Sequence, residues 1–183
     1  MVNKFQKMID EGFEKDRYLV FGSENFANET VLNETVQCSH FVELTFVNVK
    51  FVNMDFSASY FWTCTFKNCE FNNLTFRKTE ISDSTFENCL IENSDLRRAE
   101  FNKSNFKDCS FTNVDFGAAC FSDFEFINTK FKNSKLDLII FTESVKLSNL
   151  NESIEIENED RFEKILKDMN LFISTDQDEI DNS

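Results

Sequence analysis

Proline is absent from this 183-residue chain, glycine occurs three times, and histidine and tryptophan once each. That excludes collagen-like, linker-rich and ordinary turn-rich β sequences, which draw their corners from Gly and Pro. No run approaches the ~18 apolar residues that a membrane-spanning helix needs. Positive charge is scarce as well: 19 Lys and Arg stand against 33 Asp and Glu, for a net charge of −14. Phosphate contacts demand cations, so direct nucleic-acid binding is not expected. The lone His40 cannot assemble a His-based triad, and there is no Walker loop, dinucleotide fingerprint or nucleophile elbow. The six cysteines include no Cys-x₂-Cys pair, which makes a zinc site poor. Neither an enzyme nor a cofactor is expected. The segment Met1-Val2-Asn3-Lys4 leads into Met8-Ile9-Asp10-Glu11 rather than an apolar stretch, which reads as no signal peptide and a cytoplasmic location.

What the chain has in excess is phenylalanine, 24 residues, within a hydrophobic fraction of 41% that is too high for a disordered acidic chain. Stepping by five from Phe21 through Phe26, Val31 and Val36 to Leu136 and Phe141 gives 25 positions, all large and apolar, holding 19 of the 24 Phe. At the average hydrophobic fraction, chance would produce this run with a probability of roughly 10⁻¹⁰. A period of five fits neither a helix nor a strand. It suits a chain that turns a corner every five residues and aims one large side chain inward each time. Two residues before each lies a second inward candidate, mostly small: Cys64, Cys69, Thr79, Ser84, Cys89, Ser94, Ala99, Ser104, Cys109 and Ala119. Cys69, Cys89 and Cys109 then form one inward column of small buried filler.

The units Phe66-Lys67-Asn68-Cys69-Glu70, Leu96-Arg97-Arg98-Ala99-Glu100 and Phe106-Lys107-Asp108-Cys109-Ser110 resemble pentapeptide repeats. The resemblance implies an all-β fold, a right-handed quadrilateral β-helix with four pentapeptides per coil, over residues 21–145 with no slip of phase. Residues 20 apart should then stack, about 4.8 Å per coil, giving about six coils in a rod of roughly 29 Å. The spacing passes an independent check: Asn53, Asn73, Asn93, Asn113 and Asn133 form one column, and Asn48, Asn68, Asn88, Asp108 and Asn128 another. Such columns read as amide ladders, or as turn residues bonding their own backbone, and they account for corners built without Gly or Pro.

The ends read differently. Phe5, Met8, Ile9 and Phe13 have helical spacing, a short amphipathic cap within 1–20. In 146–175, Asp160 and Glu163 suggest a capping box, and Phe162, Ile165, Leu166 and Met169 an apolar helical stripe. Asn170 serves as an αL stop, and Leu171-Phe172-Ile173 as a short strand. Residues 176–183 read as a disordered acidic tail. This ending resembles that of the Qnr-type quinolone-resistance proteins and the microcin B17 immunity protein. By that resemblance, Phe162, Ile165, Leu166, Met169, Leu171, Phe172 and Ile173 would build a two-fold contact; the alternative is a cap packed on its own last coil.

Charge suggests a partner. Residues 21–145 carry 18 acids and 11 bases, and residues 146–183 carry 11 and 4. Asp55, Asp95 and Asp115 share a column, as do Glu80 and Glu100, and stacked acids hint at a basic partner. Arg77, Lys78, Arg97 and Arg98 form a compact basic patch that balances nearby acids. In the Qnr and MfpA type, an acidic rod resembling duplex DNA occupies the DNA saddle of DNA gyrase or topoisomerase IV. The resemblance implies that role here, carried by Asp55, Glu80, Asp95, Glu100 and Asp115. The alternative is a scaffold or immunity-type protein binding another partner through exposed Phe124, Trp62 or Tyr60.

Overall fold

A computed structural model describes residues 3–13, 20–156 and 161–173. Its building block is a three-residue strand with the lattice residue buried at its centre and its neighbours facing out, as in Thr65–Lys67 and Glu70–Asn72. The next residue turns the corner. Every fifth residue from Ser23 to Leu138 has φ between 47° and 59°, the left-handed region that reverses the local twist. Eleven of these 24 corners are Asn and three are Asp, the side chains that tolerate this backbone best, and none is Gly. Four corners close a coil, so Glu80 pairs in parallel with Glu100, Thr85 with Asn105 and Leu90 with Ser110.

Three sides of the rod are parallel sheets among the described residues. The first face runs from Val20–Gly22 through Tyr60–Trp62 to Ile140–Phe141, the second from Asn25–Ala27 to Val145–Ser148, and the third from Thr30–Leu32 to Lys130–Lys132. The fourth side is a column of single bridges, Thr35, Asp55, Thr75, Asp95, Asp115 and Lys135. Each of its coils is closed by a tight turn, such as the Ser59 amide donating to the Phe56 carbonyl at 3.1 Å.

The 23 lattice residues from Phe21 to Phe131 are buried, and their rings stack along each column, as in Phe46 over Phe66 at 5.1 Å and 5°. All ten small positions named above are buried beside them. The Cys69, Cys89 and Cys109 thiols donate to the carbonyls of Phe46, Phe66 and Phe86 at 3.4–3.5 Å. Both amide ladders form in segments: Asn73 donates to Asn53 at 2.8 Å and Asn113 to Asn93 at 3.0 Å in one, Asn68 to Asn48 at 3.1 Å and Asn128 to Asp108 at 2.8 Å in the other.

Both mouths of the rod are stoppered by a phenylalanine from a helix. Helix α1 (Lys4–Phe13) places the Phe5 ring within 4.9–6.3 Å of the rings of Phe21, Phe26, Phe41, Phe46 and Phe51. The small positions of the first coil are not small but acidic, and they hold the helix. Glu24 pairs with Lys4 at 2.6 Å, Glu29 accepts the Phe5 amide at 2.9 Å, and Glu34 accepts the Gln6 side chain at 2.6 Å. A carboxylate at the helix N-terminus is also favoured by the dipole. At the far end, Phe162 of α2 (Phe162–Asp168) packs on Phe126, Phe131 and Phe141.

Several expectations change at this far end. The phase does slip: Phe126 pairs with Leu147, 21 residues on, because Val145 and Leu147 point inward and Lys146 faces out. Leu136 and Phe141 are only partly buried as a result. The chain then leaves the coil through an antiparallel hairpin to Ser153–Glu155 and returns in α2. Phe172–Ile173 completes the third sheet beside Phe131–Lys132. Asn170, at φ 56°, ends α2 with the Leu171 amide on the Leu166 carbonyl and the Asn170 amide on the Lys167 carbonyl. Arg161 caps the helix start with no side-chain bond, and the suggested partner Asp160 lies outside the described residues, as does the tail 176–183.

Candidate functional site

A filled solenoid offers its outer faces rather than a cleft. The first face with its two corner columns carries Glu43, Glu80, Asp83, Glu100, Asp123 and, at the slip, Glu143 against three cations, Lys78, Arg98 and Lys103. Glu80 and Glu100 stand directly in register, a like-charge neighbour pair that costs stability. Among the described residues none of the six pairs with a lysine or arginine. By contrast, Glu87 on the second face sits between Lys67 and Lys107, whose bond and charge hold its carboxyl below the ordinary value. Glu70 on the third face pairs with Lys50 at 2.8 Å.

Asp55, Asp95 and Asp115 lie on the fourth face, one side over from Glu80 and Glu100, and Thr75 interrupts their column. Each closes its own turn by accepting the amide two residues on, from Ser57, Arg97 and Gly117, at 2.9–3.0 Å. Arg97 also grips Asp95 bidentately at 2.5 and 2.8 Å, and Arg77 approaches it at 3.8 Å. Burial alone would raise the Asp95 carboxyl, but the bonds and charge of Arg97 outweigh it and hold the group below its usual value. Asp55 is held low in the same way by Ser57 and Gln37. The basic patch is therefore split: Arg77 and Arg97 serve these aspartates, while Lys78 and Arg98 stand at corners with φ 56° and 59°.

Phe124 is not a surface anchor. It occupies an inward position two residues before Phe126, only 2% exposed, with its ring 4.8–5.7 Å from those of Phe101, Phe106, Phe121 and Phe126. Trp62 does face out, 44% exposed, and donates from Nε1 to Asp83 at 3.1 Å. Tyr60 lies beside it on the same strand, with the ring of exposed His40 6.0 Å away. Of the residues assigned to a two-fold contact, Phe162, Leu166, Met169 and Leu171 are buried in the chain's own last coil, and Ile165 and Phe172 are half-buried. Ile173 is exposed, and so, on other sides of this end, are Leu138, Ile140 and Leu150, which sequence reading missed.

Flat ladder-like faces wrapped on a phenylalanine core define a solenoid of stacked five-residue units. The family model for the pentapeptide repeat region matches residues 39–110 and 59–136, more than half of the chain. The chain belongs to the pentapeptide repeat family. No curated protein matches the sequence. Among solved structures, full-length QnrB1, a plasmid-mediated fluoroquinolone resistance protein, is 15% identical, with 63% of this chain and 71% of that one covered and a TM-score of 0.29. HetL from Nostoc sp., involved in heterocyst differentiation regulation, is 10% identical, with 76% and 93% covered and a TM-score of 0.26. A Parabacteroides merdae protein described provisionally as a glycosyl hydrolase is 8% identical, with 84% and 91% covered and a TM-score of 0.50. No helix among the described residues is long and apolar enough to cross a membrane, and no group of three or more His, Cys, Asp or Glu is placed to hold a metal ion.

Proposed function

We propose that the chain is a non-catalytic, cytoplasmic protein-binding rod that docks on the DNA saddle of DNA gyrase or topoisomerase IV and shields the enzyme from a quinolone or a toxin. The observation that carries this reading is the first face, where six carboxylates, none in an ion pair among the described residues, outnumber three cations. Duplex DNA presents a charge about every 1.7 Å, or about 17 over the rod's ~29 Å, against six here. The face would therefore imitate one edge of a duplex. The docking carboxylates are then Glu80 and Glu100 together with Glu43, Asp83 and Asp123, while Asp55, Asp95 and Asp115 flank them as turn residues. A second copy would extend the face through Leu138 and Ile140, exposed where the first face ends.

The test is gyrase supercoiling under ciprofloxacin with and without the protein, beside a Glu80→Lys, Glu100→Lys variant. Wild-type protection that the variant loses is the expected result. Neither protection nor binding to gyrase or topoisomerase IV would overturn the reading.

A further inference from the structure

Ser82 sits at an outward position of the first face, yet it is only 6% exposed. The residue stacked on it one coil earlier is Trp62, and Trp62 Nε1 reaches past it to Asp83. The indole is therefore laid along the sheet over Ser82 while staying 44% exposed. Tyr60 flanks it on the same strand, and a surface hollow of about 420 Å³ opens beside Tyr60 between His40, Lys78 and Glu80. Glu43 and Asp83 stand one coil to either side of the indole's corner, and Glu80 beside Tyr60.

We infer that this platform is the anchor point of the first face and that it takes an arginine side chain from an extended basic segment of a partner protein. An indole face attracts a cation through its quadrupole, a guanidinium stacks on it flat, and the surrounding carboxylates accept its N–H groups. Trp, Tyr and Arg are the residues enriched at interface hot spots. The unbalanced negative charge of this face selects a cationic occupant over a neutral sugar, which would also stack on indole. The inference rests on the protein-binding reading but not on the partner's identity, so gyrase protection can fail while this site stands, and the reverse.

Trp62 is the chain's single tryptophan, so its emission reports this site alone. A labelled nona-arginine peptide is about 30 Å when extended, the length of the face. It is titrated against the full chain at physiological salt, with peptide anisotropy and Trp62 emission as readouts. Saturable binding with a change in emission is expected. Trp62→Ala should weaken binding at least tenfold and Trp62→Phe less, while nona-lysine binds several-fold more weakly than nona-arginine. A Glu43→Gln, Glu80→Gln variant should lose affinity, whereas Glu87→Gln, Glu92→Gln, the same charge change on other faces, should stay within twofold. Equal losses in the two double variants with none in Trp62→Ala would reduce the effect to net charge and overturn the inference. No peptide binding, or an emission change with cellohexaose instead, would overturn it too.

Discussion

Single residues bear the strain of this fold, because each corner forces an L-residue into left-handed backbone. Asn meets that demand with its side chain and then adds a ladder bond to the coil before it. Thr63 has neither advantage: it is β-branched at φ 55°, an outlying conformation for its type. Thr63→Asn should therefore stabilise the protein by about 1 kcal/mol, read as a higher guanidinium midpoint at constant slope. The corner residues were legible in the sequence as Asn columns, since they recur at 20. Phe124 was legible only in principle: counting two back from Phe126 puts it inward, but its size contradicts the small residues that fill that position elsewhere. The three acidic exceptions at the first coil, Glu24, Glu29 and Glu34, were missed because their partner is a helix that no lattice arithmetic places.

The fourth-face turn is the element where charge and structure meet. Asp95 has its carboxyl held below the ordinary value in the folded chain, so its contribution is present above about pH 4 and is lost as pH falls through the depressed value. Asp95→Asn keeps an oxygen to accept the Arg97 amide but removes the titration. Its melting temperature should fall less than that of the wild type between pH 4 and 2; identical acid profiles would contradict this. At this scale sequence reading grouped acids by identical columns, which favoured Asp55, Asp95 and Asp115. The corner acids Glu43, Asp83 and Asp123 beside Glu80 and Glu100 went unseen because Thr63 and Lys103 break the column they share. Summing each face, rather than each column, is the signal that would have found them.

For the whole molecule, stability depends on closing both mouths of a stack in which each coil contacts only its neighbours. Phe5 and Phe162 do so with the same chemistry, although one helix is pinned by carboxylates and the other by its own C-terminal turn. Phe5→Ala should cost about 3 kcal/mol in denaturant unfolding and expose Lys7 to trypsin in the otherwise folded rod. Phe162→Ala should cost a similar amount while leaving Lys7 protected. The rod itself could be read from the sequence because one large side chain per five residues has no other explanation. Its end could be read only in part: the helix at Phe162, the Asn170 stop and the strand at Phe172 were legible, while the slip and the hairpin after Phe141 were not, because they share no period with the coils.

The 21-residue step from Phe126 to Leu147 also bears on how such a chain can change over generations. A ladder with a fixed count behaves like a reading frame: twenty residues added or removed anywhere leave every later ring facing in, whereas one residue turns all of them out to water. A single-residue insertion is thus survivable only where no further coil depends on it. The chain carries its one slip at that place, in the last coil, where a hairpin and a returning helix take over the closing of the core.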